Sequence, residues 1–130
     1  MKIEKNLPLN VQFWTTEVAS KQANIIFEEY LRNAILELEH SELLKEKTHE
    51  TLKFLSDQVR FSLELLEKIS KMSITTSISS TVGDFLLSQA FELDKISDSL
   101  PDGALKNLFK ESALYIGIEA EKIRKGYYNS

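Results

Sequence analysis

A chain of 130 residues is long enough to bury one hydrophobic core and too short for two ordinary domains. Its 16 basic and 20 acidic side chains leave a net charge of -4, about -2 in residues 1–72 and about -2 in residues 73–130, which argues against nucleic-acid binding by clustered Lys and Arg. Cysteine is absent, so disulfides, thiolate catalysis, Cys-based zinc sites and iron–sulfur clusters are excluded, and a reducing cytoplasm is the expected setting.

No Gly or Pro interrupts the chain from Asn10 to Met72, and apolar residues recur at three- and four-residue steps. The first nine residues read as an extension. Pro8 disfavours helix at Leu7, so helix one is predicted to start at Asn10, a good N-cap, with Glu17 early in the helix to suit the dipole. Its apolar marks are Val11, Trp14, Val18, Phe27, Leu31, Ala34 and Leu38, and the helix is predicted to run to about residue 40. An unbroken helix to Met72 would be about 95 Å long, more than the remaining chain could cover, so a turn is expected between His40 and Thr48. Ser41 and Thr48 are the local caps, and neither has Glu or Gln three residues on.

Helix two, over about residues 46–71, is the most apolar element. Leu52, Leu55, Val59, Leu66 and Ile69 form one stripe, and Phe54, Phe61, Leu65 and Met72 form a second to one side, so the helix needs cover on two flanks. The Ser/Thr-rich stretch from Ser70 to Thr81 reads as a connection, because hydroxyl side chains compete with regular helix for backbone groups. The alternative is that Ile74, Ile78 and Val82, at four-residue spacing, carry helix three back into it.

Thr81 with Asp84 approximates a capping box for helix three, expected over residues 81–99, with Val82, Phe85, Leu86, Ala90, Leu93 and Ile96 on its face. Pro101, Asp102 and Gly103 are turn residues. Leu105, Leu108, Phe109, Ala113, Ile116, Ala120, Ile123 and Tyr127 then mark helix four, predicted over 103–126 with Gly126 as its C-terminal cap. Residues 128–130 read as a tail. Lys122, Arg124 and Lys125 complement the end of that helix dipole. Ala113, Gly117 and Ala120 are candidates for close helix packing, since a mid-helix glycine costs about 1 kcal/mol against alanine.

The expected fold is all-α: an antiparallel four-helix bundle, up-down-up-down, with long first and second helices in a single domain over 10–127. Trp14, Phe13 and Ile25 off the main stripe of helix one, with the second stripe of helix two, leave more apolar surface than one small bundle buries. Trp14, Phe54, Phe61, Leu65 and Met72 are therefore interface candidates, with a second copy as the expected partner. Glu28, Glu29, Glu37, Glu39 and Glu42, with Arg32 as the one nearby cation, are candidates for an acidic docking face.

The catalytic and metal motifs read as background. Glu37-Leu-Glu-His40 and Glu46-Lys-Thr-His49 share the Glu-x-x-His spacing of di-iron bundles, but both fall within thirteen residues and no other helix completes the set. His49-Glu50 lacks the second His of a zinc-protease helix, no serine stands in a Gly-x-Ser-x-Gly elbow, and no glycine-rich phosphate loop exists. No cofactor is expected, and neither is an enzyme. The N-terminus carries no apolar signal region and no run is apolar enough to span a bilayer, so a cytoplasmic protein without a transmembrane segment is expected.

Three functions fit this pattern. The first is a structural or regulatory module that self-associates and offers an acidic helical face to another protein. The second is an amphipathic coat on an apolar granule or lipid surface, a physical analogy with phasins on polyester granules that no motif carries. The third is a sensory bundle holding an apolar ligand near Trp14, Phe85, Phe91, Phe109 or Tyr115.

Overall fold

The computed structural model describes residues 20–37, 46–71 and 76–126. They form four helices, α1 (Ser20–Glu37), α2 (Glu46–Ser70), α3 (Thr76–Ser97) and α4 (Ala104–Arg124), and no strand occurs among them. Asn10, Glu17, Trp14, Ser41 and Tyr127 lie outside the described residues, as do Met72, Glu39, Glu42 and His40.

Each helix packs against the next in sequence, and α4 closes the bundle against α1 and α2. The direction of each pairing can be read from cross-helix contacts. Glu28 of α1 meets Arg60 of α2, Phe61 of α2 meets Phe85 of α3, and on the α3–α4 seam Asp84 meets Arg124 while Asp98 meets Lys110. On the α3–α4 seam numbers that rise on one helix fall on the other, and Glu28–Arg60 and Phe61–Phe85 each pair residues from either side of the connection between two successive helices, as in helical hairpins, so the bundle is antiparallel. The Glu28–Arg60 pair also excludes one continuous helix through α1 and α2, which would hold these residues about 48 Å apart.

The core follows the 3.6-residue period. Phe27, Leu31 and Ala34 of α1 are buried, as are Leu52, Leu55, Val59, Leu66 and Ile69 of α2. Leu86, Ala90 and Leu93 come from α3, and Leu105, Leu108, Phe109, Ala113, Ile116, Ala120 and Ile123 from α4. The Phe27 and Phe109 rings meet at 6.0 Å between centroids, tilted by 59°, and tie α1 to α4.

The start of α3 differs from that expected. Helix α3 begins at Thr76, five residues ahead of residue 81, so Thr81 and Asp84 lie inside it and do not cap it. Burial overrides the weak propensity of the hydroxyl residues: Ser79 is buried and Val82 is partly buried against the core, while Ile78 stays half-exposed. Thr48 likewise lies within α2 and not at its cap.

The α3–α4 connection is built from turn chemistry. Ser97 and Ser99 donate from Oγ to the carbonyls of Asp94 and Ile96 at 2.7 and 2.8 Å, and Leu100 plugs the end of the core. Gly103 takes φ +145° at the start of α4, and Gly126 takes φ +87° after its last turn, donating its N–H to the Ile123 carbonyl at 3.0 Å.

At Gly83 α3 and α4 come into close backbone contact. A Cβ there would overlap Arg124 Cγ and stand 3.0 Å from the Arg124 nitrogen and 3.1 Å from the Ala120 carbonyl oxygen. Backbone cannot step aside as a side-chain tip can. At Gly117 a Cβ would meet only Ala90 Cβ, at an ordinary 3.7 Å. Gly83→Ala is therefore expected to lose about 1–3 kcal/mol in urea denaturation by overpacking. Gly117→Ala is expected to gain roughly 0.5–1 kcal/mol in dilute solution, through helix propensity alone.

Candidate functional site

Beside the fully buried stripe of α2 runs its second apolar stripe. Phe54 and Phe61 are half-exposed there, and Leu65 is partly buried against the core. Phe85 of α3, which the sequence pattern places on the core face, instead leans against Phe61 edge to face, with centroids 6.0 Å apart and 83° between planes. Phe61 remains 51% exposed and Phe85 42%, so the pair covers itself only partly. Of the interface candidates the structure thus brings Phe54, Phe61 and Leu65 onto one seam and adds Phe85, while Trp14 and Met72 lie outside the described residues.

A second apolar surface lies between α3 and α4. Ala90, Ala113 and Gly117 form the floor of a groove, and Leu87 and Phe91 face Leu114 and Ile118 as its walls. The hollow measures about 510 Å³. Phe91 is 70% exposed, Leu114 53% and Ile118 43%. Phe91, Leu114 and Ile118 leave the core because they stand off the buried arc of their helices, a signal in the spacing that the apolar marks of helices three and four passed over. Phe109 and Tyr115 belong to the core, and of Phe85, Phe91, Phe109 and Tyr115 only Phe91 lines this groove.

Charges organise the ends of this groove. At one end Lys110 Nζ sits 2.6 Å from Asp98 and 3.2 Å from Asp94, and also donates to the Asp94 carbonyl. The Asp98 carboxyl is held below its usual 3.8, first by the hydrogen bond from Lys110, against some desolvation, and then by the charges of Lys110 and Lys106. The Lys110 ammonium is correspondingly raised, chiefly by the hydrogen bond to Asp98. At the other end Arg124 bridges Asp84 and Glu121, each at 2.9 Å, and Lys122 pairs with Glu119 at 3.0 Å. Arg124 thus locks α4 to α3 as well as meeting the helix dipole.

The acidic run of α1 is divided. Glu28 accepts two hydrogen bonds from Arg60, from Nε to Oε2 and from Nη2 to Oε1, and this raises the guanidinium pKa further. Arg60 stands 32 residues away, so the sequence shows no sign of this pairing and Arg32 is not the sole counter-charge. Glu29 and Glu37 remain exposed, whereas Glu39 and Glu42 lie outside the described residues. On the inner side of α1, the Tyr30 hydroxyl pKa is raised by burial, then by Glu29 and by the buried Glu111 of α4.

His49 is exposed on α2, and among the described residues no group of three His, Asp or Glu side chains is placed to hold a metal ion. Nor is any described helix long and apolar enough to cross a membrane. No protein-family model matches this sequence, and no curated protein or solved structure matches it.

The Asp98–Lys110 pair gives a signed pH dependence. Because the folded pKa of Asp98 lies below its unfolded value, its contribution is present above about pH 4 and disappears as pH falls through the folded pKa. That of Lys110, with a raised pKa, is present below about pH 10 and fades as pH rises past it. Asp98→Asn is thus expected to be less stable than wild type at pH 7, with the difference shrinking as pH falls through the folded pKa of Asp98, as read by urea denaturation across the acid range.

Proposed function

We propose that this chain is a non-enzymatic protein-interaction module of the cytoplasm, structural or regulatory in role, that works by self-association. The observation that carries the reading is the aromatic band on the α2–α3 seam, where Phe54, Phe61 and Phe85 stay part-exposed on two rigid helices. Large aromatic side chains held in place by packing lose little further freedom on binding, and burying one releases about 1.5–3 kcal/mol. Closed two-fold dimers are the commonest way for one chain to cover such a face. The exposed Glu29 and Glu37 on α1 leave an acidic surface free for a second, basic partner.

Light scattering on the full chain over a range of concentrations tests this reading. The expected result is a mass at a multiple of 14.9 kDa, with Phe54→Glu and Phe61→Glu weakening assembly about 100-fold while helical circular dichroism is unchanged. A chain monomeric at every concentration overturns self-association. If that monomer floats with lipid or polyester particles, surface coating replaces it.

A further inference from the structure

We infer that Asp102 is a site of spontaneous covalent modification, closing with the Gly103 nitrogen into a succinimide and opening from there to isoaspartate while the bundle stays folded.

The step is a rearrangement of the main chain that needs water alone. The Gly103 backbone nitrogen, its proton given up to solvent, bonds to Cγ of the protonated Asp102 carboxyl group. One Cγ–O bond breaks and one water leaves overall, which closes a five-membered imide. Water then adds to either imide carbonyl. Cleaving the bond between nitrogen and Cγ restores aspartate, whereas cleaving the bond between nitrogen and the Asp102 main-chain carbonyl carbon routes the chain through Cγ as isoaspartate. The reaction therefore requires a backbone nitrogen free of any hydrogen bond, a carboxyl group free to swing onto it, and no side chain on the following residue to block the approach.

The α3–α4 connection meets all of these at one peptide bond. Gly103 is exposed, nothing stands within 4 Å of the position a Cβ would take, and its N–H donates no hydrogen bond among the described residues. The Asp102 side chain is 98% exposed. Its tie is to Lys106 Nζ, at 3.1 Å, and an exposed pair one helical turn apart restrains a side chain only weakly.

The other aspartates show what protection looks like. Asp57, Asp84 and Asp94 lie inside helices, where the next residue's N–H is committed to the carbonyl one turn back. Asp98 stands in the same connection as Asp102, yet both of its reacting groups are held. Its carboxylate sits 2.6 Å from Lys110 Nζ, and the Ser99 N–H donates to the Ile96 carbonyl at 3.0 Å. Isomerisation at Asp98 thus waits on local opening, and at Asp102 it does not. The product matters to the fold because it adds one carbon to the main chain between Leu100, which plugs the core, and the first turn of α4, where the Gly103 carbonyl accepts from the Asn107 N–H at 3.1 Å and Leu105 is buried.

The test is to age the full chain at physiological temperature and neutral pH, once folded in buffer and once unfolded in urea. Peptide mapping by mass spectrometry follows each aspartate, and methylation by an isoaspartyl carboxyl methyltransferase scores the product. In the folded chain isoaspartate is expected at residue 102, through an intermediate lighter by one water, at a rate within about threefold of that in urea, while folding slows Asp98 at least about tenfold. Asp102→Glu, which would have to close a larger ring, should abolish the signal at that position. Asp102→Asn should raise it, because ammonia leaves in place of water, and the gain of one negative charge is read by isoelectric focusing. Folding that slows Asp102 as much as Asp98 overturns the inference, and so does isoaspartate at residue 102 that forms in urea alone.

Discussion

The approach of α3 to α4 at Gly83 sets the geometry on which the other surfaces depend. With the Arg124 nitrogen and the Ala120 carbonyl so near the missing Cβ position, the two helices can pass at this depth only where one residue lacks a side chain. That contact fixes the register of the most extensive helix pairing in the bundle. From it follow the placing of Asp84 opposite Arg124, of Asp98 opposite Lys110, and of Ala90 opposite Gly117 midway between. The groove is the outer side of the same close packing: small residues that bring the helix axes together leave a hollow between the taller side chains on either flank.

Ion pairs at the helix seams act on alignment more than on stability. Exposed pairs of this kind contribute from nothing to about 1 kcal/mol each. Their effect here lies in position, since Glu28–Arg60, Asp84–Arg124 and Asp98–Lys110 each join residues that only one antiparallel register brings together. They also divide the surface electrostatically. The acidic run of α1 loses Glu28 to α2, and the basic end of α4 is spent on Asp84 of α3 and on Glu119 and Glu121 of α4 itself.

Helix α3 has apolar surface on both exposed flanks, Phe85 toward α2 and Phe91 toward the α4 groove. A single helix thus borders two separate exposed apolar surfaces, and its N-terminal extension back to Thr76 lengthens the first of them by setting half-exposed Ile78 beyond Phe85. Burial of Ser79 against the core holds that extension helical where local propensity is weak. The hydroxyl residues that read as a connection are in part a packing surface, small enough to sit between helices.

Periodicity determined the fold class, the order of the four described helices and most of the core, Ala23, Leu63, Leu100 and Tyr115 excepted, because burying a stripe at 3.6-residue spacing is a local property of each helix. The two stripes of α2, one buried and one at the surface, were legible for the same reason. What lay beyond the sequence were relations between helices. Nothing local marks Arg60 as the partner of Glu28, or Gly83 rather than Gly117 as the glycine that backbone packing demands, since each depends on a residue more than 25 positions away. The start of α3 belongs to the same class, for hydroxyl residues are helical or not according to what they pack against. The groove is of this kind too: a concavity between two helices is a property of their depth of contact and register, and tertiary packing alone sets both.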